Sequence, residues 1–323
     1  MEYKKIVVIG GGVLGSQIAF QSAYAGYNVT ILIREDDNKD LVIEKLNRLR
    51  ETYIETINKM NTIEGKEPGN WARGISSVEE FDANECLEKV NKIKEKLKIE
   101  TNQEVALKDA DLVIESITEN YDIKTNLYKE ISKKMEEKTV VVTNSSTLLP
   151  SKLAKSTGRP NKFLAMHFAN SIWKNNIAEI MGHSDTEEKY FNEIVTFAES
   201  INMIPLAVKE EKSGYLLNSL LVPFLLSAMD LLANGVSTPE MIDKAWVLGT
   251  GAPKGPFQII DIVGLETARN IVLQYQKVPN IFDPLLRKMM LPYNYDGMLK
   301  ILNEYIENGK LGYSTKKGFY KYN

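Results

Sequence analysis

The sequence has only two histidines, and one of them, His167, lies near the end of the apolar run KFLAMHF. Glu179 is the lone carboxylate of the next apolar run, NIAEIM. A parallel crossover needs about a dozen or more connecting residues, so the short loop between these runs predicts antiparallel neighbours. Glu179 would then orient the imidazole and stabilise its protonated form. Such a pair suits an alcohol that loses a proton as hydride leaves its carbon; a structural histidine at a strand end is the alternative.

A glycine-rich turn near the start of the chain is a candidate site for the hydride carrier. Gly10, Gly12 and Gly15 follow the strand-like run IVVI and precede a helical pattern. This is the context that a dinucleotide-binding G-x-G-x-x-G motif requires. The first glycine allows the tight turn, the second lets the backbone approach a pyrophosphate, and the third lets helix and strand pack closely. The helix N-terminus favours the negative charge.

The residue after the second strand distinguishes the two nicotinamide dinucleotides. An Asp or Glu there binds the ribose hydroxyls of NAD, whereas an Arg accommodates the additional phosphate of NADP. The chain reads TILIRED, with Arg34 at or beside this position. Glu35 or Asp36 can still reach the ribose, so the local sequence leaves both NAD and NADP open.

Strand-like runs and helical patterns alternate over residues 1–208, and the strands stop thereafter. Between about residues 40 and 96, two charged helical segments flank a loop that contains Pro and Gly, which predicts a helical hairpin arm. The sequence therefore predicts an α/β fold. Residues 1–208 form a Rossmann-type, mostly parallel sheet with this arm, and residues 209–323 form an all-α C-terminal domain.

Composition excludes several other classes of protein. The chain has 40 basic and 43 acidic side chains, so no nucleic-acid partner is predicted. A single cysteine, Cys86, rules out an internal disulfide and a cysteine-rich metal site, and no metal is predicted. The first residues run directly into a strand, which predicts a cytoplasmic protein without a targeting segment. Asn218, Pro223 and Asp230 interrupt the longest apolar run, so we expect a buried helix and no membrane partner.

Motifs spread along the whole chain carry a more specific signal. They are GGGVLGSQIAF, KDADLVIESITEN, TNSSTLL, MHFAN followed by Glu179, SGYLLNSLLVPFL, LGTGAPKGPFQIIDIVGLET and KKGFYKY. In their order and spacing the sequence resembles the L-3-hydroxyacyl-CoA dehydrogenase family. The resemblance implies an enzyme that interconverts a 3-hydroxyacyl-CoA and a 3-oxoacyl-CoA by hydride transfer with NAD, or with NADP. It also implies a homodimer through the C-terminal domain.

The resemblance assigns roles to individual residues. The family's catalytic base falls on His167 and its orienting carboxylate on Glu179. Ser146 and Asn218 match its substrate-binding serine and asparagine, and Asn170 fits the asparagine of its His-x-x-Asn turn. The candidate cofactor contacts are Gly10, Gly12, Val13, Leu14, Gly15, Arg34, Glu119, Lys124 and Asn144.

Simpler interpretations stand beside these roles. Ser146 could be a turn hydroxyl, Asn218 a helix-start residue, and Glu119 with Lys124 a surface ion pair. The arm lies beside the CoA nucleotide in the family, so its lysines, Lys45 among them, either meet phosphates or are solvated helix charges.

Three features depart from the family pattern. The histidine is usually followed by Phe-Phe-Asn-Pro, whereas this chain has Ala169 and Ser171 in that turn. The acidic residue after the second strand is missing or displaced, and the arm is longer at its tip. The first alternative function is therefore a dehydrogenase of free 3-hydroxy acids, of the gulonate or carnitine type. The second is an inactive dinucleotide-binding regulator.

Overall fold

The computed structural model describes residues 3–67, 69–276 and 293–322. It divides into two compact units, Met1–Leu216 and Leu217–Asn323. Among the described residues, none of the helices combines the length and hydropathy that a membrane crossing requires.

The first unit is built on one eight-stranded sheet with the order β3-β2-β1-β4-β5-β6-β7-β8. The strands are β1 Lys5–Ile9, β2 Asn28–Leu32, β3 Leu97–Glu100, β4 Leu112–Glu115, β5 Val140–Thr143, β6 Phe163–Phe168, β7 Ile177–Met181 and β8 Ile204–Val208. β6 and β7 are antiparallel, and the other neighbouring strands are parallel. The predicted mostly parallel sheet is confirmed.

The helices of the first unit cover both faces of this sheet. They are α1 Val13–Tyr24, α2 Lys39–Met60, α3 Ala83–Lys96, α4 Gln103–Leu107, α5 Tyr121–Ile131, α6 Pro150–Leu153 and α7 Glu188–Ser200. The central strands β4 and β5 are buried along their whole length, which explains their continuous apolar runs. The sheet changes direction between β1 and β4, and open α/β sheets bind ligands at such a point.

The predicted arm consists of α2 and α3. Asn38 and Asp82 cap the two helices by accepting backbone N–H bonds in their first turns. The arm is tied to the sheet through α1, because the Tyr53 ring of α2 packs on Phe20 with centroids 4.7 Å apart.

The second unit is helical, as the sequence predicts. Its described helices are α8 Leu217–Ala233, α9 Pro239–Thr250, α10 Pro256–Val263, α11 Leu265–Tyr275 and α12 Tyr295–Glu307. Buried Asp261 accepts the backbone N–H groups of Phe319 and Tyr320 at 2.8 and 2.9 Å, which anchors the GFYKY motif near the C-terminus.

Candidate active site

The antiparallel pairing of β6 with β7 places His167 directly opposite Glu179. Nδ1 of the imidazole lies 2.9 Å from Glu179 Oε2, and Nε2 lies 3.1 Å from the Ser146 hydroxyl, which follows β5. His167 is 5% exposed and Glu179 is 1% exposed, so water screens this pair weakly. The structure therefore brings together three of the predicted site residues at the carboxyl edge of β5 and β6.

The segment before α8 supports this group of residues. The backbone N–H of Leu216 donates to Glu179 Oε1 at 2.9 Å, so each carboxylate oxygen has its own donor. The Tyr215 ring stacks on His167 with centroids 4.6 Å apart and planes 15° from parallel. Tyr215 is held in place because its hydroxyl donates to the Ser145 carbonyl at 2.7 Å. Burial, reinforced by the charge of Glu119, raises the pKa of Tyr215 well above its usual value, so the phenol stays protonated.

Sequence reasoning did not identify Tyr215 or Leu216 as part of the site. They are distant in the chain from His167 and Glu179, and neither a stacking ring nor a backbone donor has a spacing signature. The one signal in the sequence is the glycine before Tyr215, since glycine often marks unusual backbone. The structure has such backbone here, because Gly214 and Tyr215 both have positive φ, at 83° and 50°. Such backbone is costly for a tyrosine and is often held at functional sites.

The chemistry of the trio follows from these contacts. An ionised carboxylate accepts hydrogen bonds only, so Nδ1 of His167 carries the proton toward Glu179 and Nε2 is left as the acceptor. Nε2 can thus take a proton from a hydroxyl group that lies on the side of the imidazole where Ser146 contacts it. The same Ser-His-carboxylate order serves hydrolases, where the serine is the nucleophile. The glycine loop at the same edge of the sheet favours proton transfer coupled to hydride transfer instead.

Glu119 holds the loop that carries Ser146. Its Oε1 accepts from the Ser145 hydroxyl at 2.6 Å and from the Thr147 backbone N–H at 2.8 Å. Burial opposes the charge of Glu119, but these donors outweigh burial and lower the pKa of the carboxyl below its usual value. Lys124 Nζ lies 3.6 Å from Glu119 Oε2. Glu119 therefore fixes the residues on both sides of Ser146.

Lys124 is a buried side chain rather than part of a surface pair. It is 1% exposed and donates to Glu115 Oε1 at 2.5 Å. Glu115, at the end of β4, is fully buried and also accepts from Tyr128 at 2.6 Å and from Thr143 at 2.8 Å. Sequence reasoning missed Glu115, although a glutamate at the end of the buried run DLVIE is a usable signal because buried charges are normally paired.

Lys124→Met should lower the free energy of unfolding by about 3–5 kcal/mol, because it leaves the Glu115 carboxylate buried without its cation. Urea denaturation monitored by circular dichroism measures this loss. Lys129→Met is the matched control, since it removes an exposed lysine from the same helix. A loss below about 1 kcal/mol for Lys124→Met would show that Glu115 does not depend on this pair.

The two predicted asparagines lie in different environments. Asn144 Oδ1 accepts the Phe168 N–H at 3.0 Å, which ties the end of β5 to the end of β6. Asn170 is exposed in the turn after β6, and its carbonyl accepts from the Asn175 side chain at 2.8 Å. Asn218 belongs to the second unit, where it lies in the first turn of α8.

The glycine loop between β1 and α1 fits a dinucleotide. A Cβ on Gly10 would lie 2.5 Å from the Ser116 carbonyl oxygen, and one on Gly15 would lie 2.2 Å from the Gly10 oxygen, so neither position tolerates a side chain. Nothing lies within 4 Å of the Cβ position on Gly12, so a ligand can approach the backbone there. The first N–H groups of α1, those of Val13 and Leu14 among them, have no carbonyl partner within their own helix. Together these features provide a site for a pyrophosphate.

Lys45 of the arm reaches this loop. Its ammonium donates to the Gly11 carbonyl at 2.9 Å. Lys45 is therefore not a fully solvated helix charge, and its side chain does not lie at the tip of the arm. A Cβ on Gly11 would lie 2.5 Å from Val42, which shows how closely α2 packs against the loop.

Comparison with known proteins decides the family. Residues 5–211 match the model of the 3-hydroxyacyl-CoA dehydrogenase NAD binding domain, and residues 214–322 match that of its C-terminal domain. The chain belongs to the 3-hydroxyacyl-CoA dehydrogenase family. It is thus an oxidoreductase, and its first unit contains the NAD binding domain of that family.

Relatives of this dehydrogenase family cover the whole chain. Human mitochondrial hydroxyacyl-coenzyme A dehydrogenase is 29% identical, over 99% of this chain and 91% of its own. The 3-hydroxybutyryl-CoA dehydrogenase of Clostridioides difficile is also 29% identical, over 99% of both chains. A solved diketoreductase, which acts on dicarbonyl compounds, is 39% identical with a TM-score of 0.78, over 100% of both chains.

The turn after the histidine departs from the pattern of the dehydrogenase family at Ser171, where the family has proline. Ser171 has a φ of 59°, whereas proline fixes φ near −65°. Its backbone N–H donates to Gln17 of α1 at 2.9 Å, a bond that proline could not make. Proline at position 171 is therefore incompatible with the backbone of this turn.

The loop after β2 carries a second departure from the family. Arg34 pairs with Asp37 at 2.9 Å and lies 3.6 Å from Asp36, so two carboxylates already accompany its charge. The hydrogen bond from Arg34 lowers the pKa of Asp37 against a smaller opposing effect of burial. With Glu35, the loop has three carboxylates around Arg34, and the charge of Lys45 also acts on Asp37.

Proposed function

We propose that the protein interconverts a 3-hydroxyacyl-CoA and a 3-oxoacyl-CoA, with His167 and Glu179 as the general base pair. The observation that carries this proposal is the imidazole held between Glu179 and Ser146, with a glycine loop that fits a dinucleotide at the same edge of the sheet. Its test is the consumption of NADH with 3-oxobutyryl-CoA, with 3-hydroxybutyryl-CoA identified as the product. Absence of that product at saturating substrate would refute the proposal.

In the oxidative direction, the substrate loses the proton of its 3-hydroxyl group and a hydride from the carbon that carries this group. Nε2 of His167 accepts the proton of the 3-hydroxyl group, and Glu179 stabilises the imidazolium that forms. The glycine loop would hold the nicotinamide dinucleotide, which would supply the acceptor for the hydride that leaves the substrate carbon, with its electron pair, as the carbon–oxygen double bond forms. Ser146 donates to the substrate oxygen, and from the resemblance we assign Asn218 to substrate binding. Asn170 is the further substrate contact in this proposal.

The remaining residues position this chemistry. We assign Tyr215 and Leu216 to the orientation of His167 and Glu179, because the ring and the backbone N–H contact them directly. Glu119 with Lys124 holds the loop of Ser146, and Asn144 holds the strand of His167. The glycine loop would hold the pyrophosphate of the cofactor.

A second candidate is a reductase of dicarbonyl compounds that carry no CoA. The observation in its favour is the 39% identity to the diketoreductase, against 29% for the CoA-dependent relatives described above. Inhibition by free CoA distinguishes the two candidates. If the enzyme has a CoA site, free CoA should inhibit it competitively against 3-oxobutyryl-CoA. A protein that binds NADH but turns over neither class of compound would instead be a dinucleotide-binding regulator.

The enzyme should prefer NADH to NADPH by at least about tenfold in kcat/KM, equivalent to about 1.4 kcal/mol. The physical reason is the excess of carboxylates around Arg34. In the double variant Asp36→Asn, Asp37→Asn, Arg34 becomes available to a phosphate, and kcat/KM for NADPH should rise while that for NADH changes little. Equal use of both cofactors by the natural enzyme would contradict this account.

We also propose a homodimer through the second unit. The sequence predicts that α8 is a buried helix, but apolar side chains remain exposed on α8 and α9, with Leu220 at 75% and Leu248 at 73%. Large exposed apolar patches mark interaction sites. Mass photometry showing only monomer at micromolar concentration would refute the dimer. A cytoplasmic location stays a prediction.

A further inference from the structure

The base of the arm and the edge strand β3 line a half-open cavity of about 300 Å³. Phe20 of α1, Leu46 of α2 and Ile93 of α3 line it, and Leu97 and Ile99 of β3 complete its apolar walls. Its lining contains no residue of the glycine loop and none of the His167 site. Its volume lies at the lower end of the range for small-molecule pockets, about 300–1,000 Å³, which fits a small ligand better than a nucleotide.

Two cations of the cavity lining have no carboxylate partner. Arg50 and Lys94 line it and form no ion pair with any other described residue, although both lie on charged helices. Arg50 donates to the Asn91 side chain at 2.9 Å, while its Nε is buried without a hydrogen-bond partner among the described residues. A third cation of the lining, Lys39, interacts with Glu100.

The charge of the lining selects the chemistry of the ligand. No acidic residue lines the cavity, whereas three cations do, so the charge of its lining is complementary to an anion. A guanidinium group matches the two oxygens of a carboxylate, and a neighbouring ammonium adds a point charge. The apolar walls require an aliphatic body attached to that anion.

We propose that this cavity binds a straight-chain carboxylate, with the carboxylate at Arg50 and Lys94 and the chain against the apolar walls. This second site is independent of the proposed reaction, because none of its residues belongs to the catalytic group. Ile43 lies at its entrance and is 40% exposed.

The test is calorimetric titration of octanoate into the full chain saturated with NADH. We expect one octanoate per chain, and a Kd that falls about fourfold for each methylene from hexanoate to octanoate, since each buried methylene contributes a roughly constant free energy. Octan-1-ol, which lacks the charge, should bind at least about tenfold more weakly.

Variants locate the site. Arg50→Met should weaken octanoate binding at least about tenfold, whereas Arg48→Met, an exposed position on the same helix, should leave the Kd unchanged. Ile43→Trp narrows the entrance from an exposed position and should also weaken binding. Turnover by all three variants should match that of the natural enzyme.

Several results would overturn the proposal. They are no octanoate binding at millimolar concentration, an unchanged Kd in both Arg50→Met and Ile43→Trp, and competition between octanoate and the thioester substrate. Binding of inorganic phosphate as tightly as octanoate would also overturn it, because the apolar walls would then contribute nothing. Since the titration does not measure turnover, its failure is distinguishable from a failure of the proposed reaction.

Discussion

His167→Ala should lower kcat at least about 10²-fold, which is the usual effect of losing a general base. The alanine removes the imidazole that contacts both Ser146 and Glu179. The affinity for NADH should not change, because the glycine loop that fits the dinucleotide does not include His167.

The chain offers a matched control for this substitution. His183 is the other histidine, and its imidazole contacts the Pro160 carbonyl at 3.1 Å, away from the catalytic group. His183→Ala should keep the natural rate. Stopped-flow single turnovers and fluorescence titration of NADH on the same samples separate catalysis from binding. An unchanged rate in His167→Ala would remove this residue from the mechanism.

Glu179→Gln should lower kcat by about 10²-fold, within the range of general acid–base effects. The neutral amide no longer stabilises the imidazolium, and its NH₂ group can face Nδ1 and favour the wrong tautomer of His167. The amide oxygen can still accept the Leu216 N–H, so the fold should be retained.

Exposed Glu188, on the same unit, provides the control substitution Glu188→Gln. Pre-steady-state rates with saturating 3-oxobutyryl-CoA and NADH measure the effect, and thermal unfolding checks that both variants remain folded. If Glu179→Gln turned over at full speed, the carboxylate would be a structural residue of β7 only.

The sequence predicts the sheet well because its signals are local. Buried parallel strands appear as apolar runs, and the short loop between two of them determines that β6 and β7 are antiparallel. That single inference places Glu179 opposite His167. The path of the turn after β6 is not local in this sense, because the positive φ of Ser171 depends on a hydrogen bond to Gln17, far away in the chain.

The supporting residues of the site were beyond prediction for the same physical reason. Tyr215 acts through a ring contact and Leu216 through a backbone N–H, and neither contact has a spacing signature in the sequence. The arm lysine Lys45 was predicted to meet CoA phosphates or water, and only the packing of α2 on the glycine loop shows its contact with the Gly11 carbonyl. The role of Ser146 is predicted by the family resemblance alone, because the residues next to it in the sequence do not indicate that role.

The most direct test of the central claim is the ratio of kcat/KM for 3-oxobutyryl-CoA to that for free 3-oxobutanoate, measured with NADH. The proposed function predicts rapid turnover of the thioester and a ratio of at least about 10², or about 2.7 kcal/mol of transition-state binding from the CoA portion. A ratio near or below one would contradict it and favour a reductase of carrier-free dicarbonyl compounds.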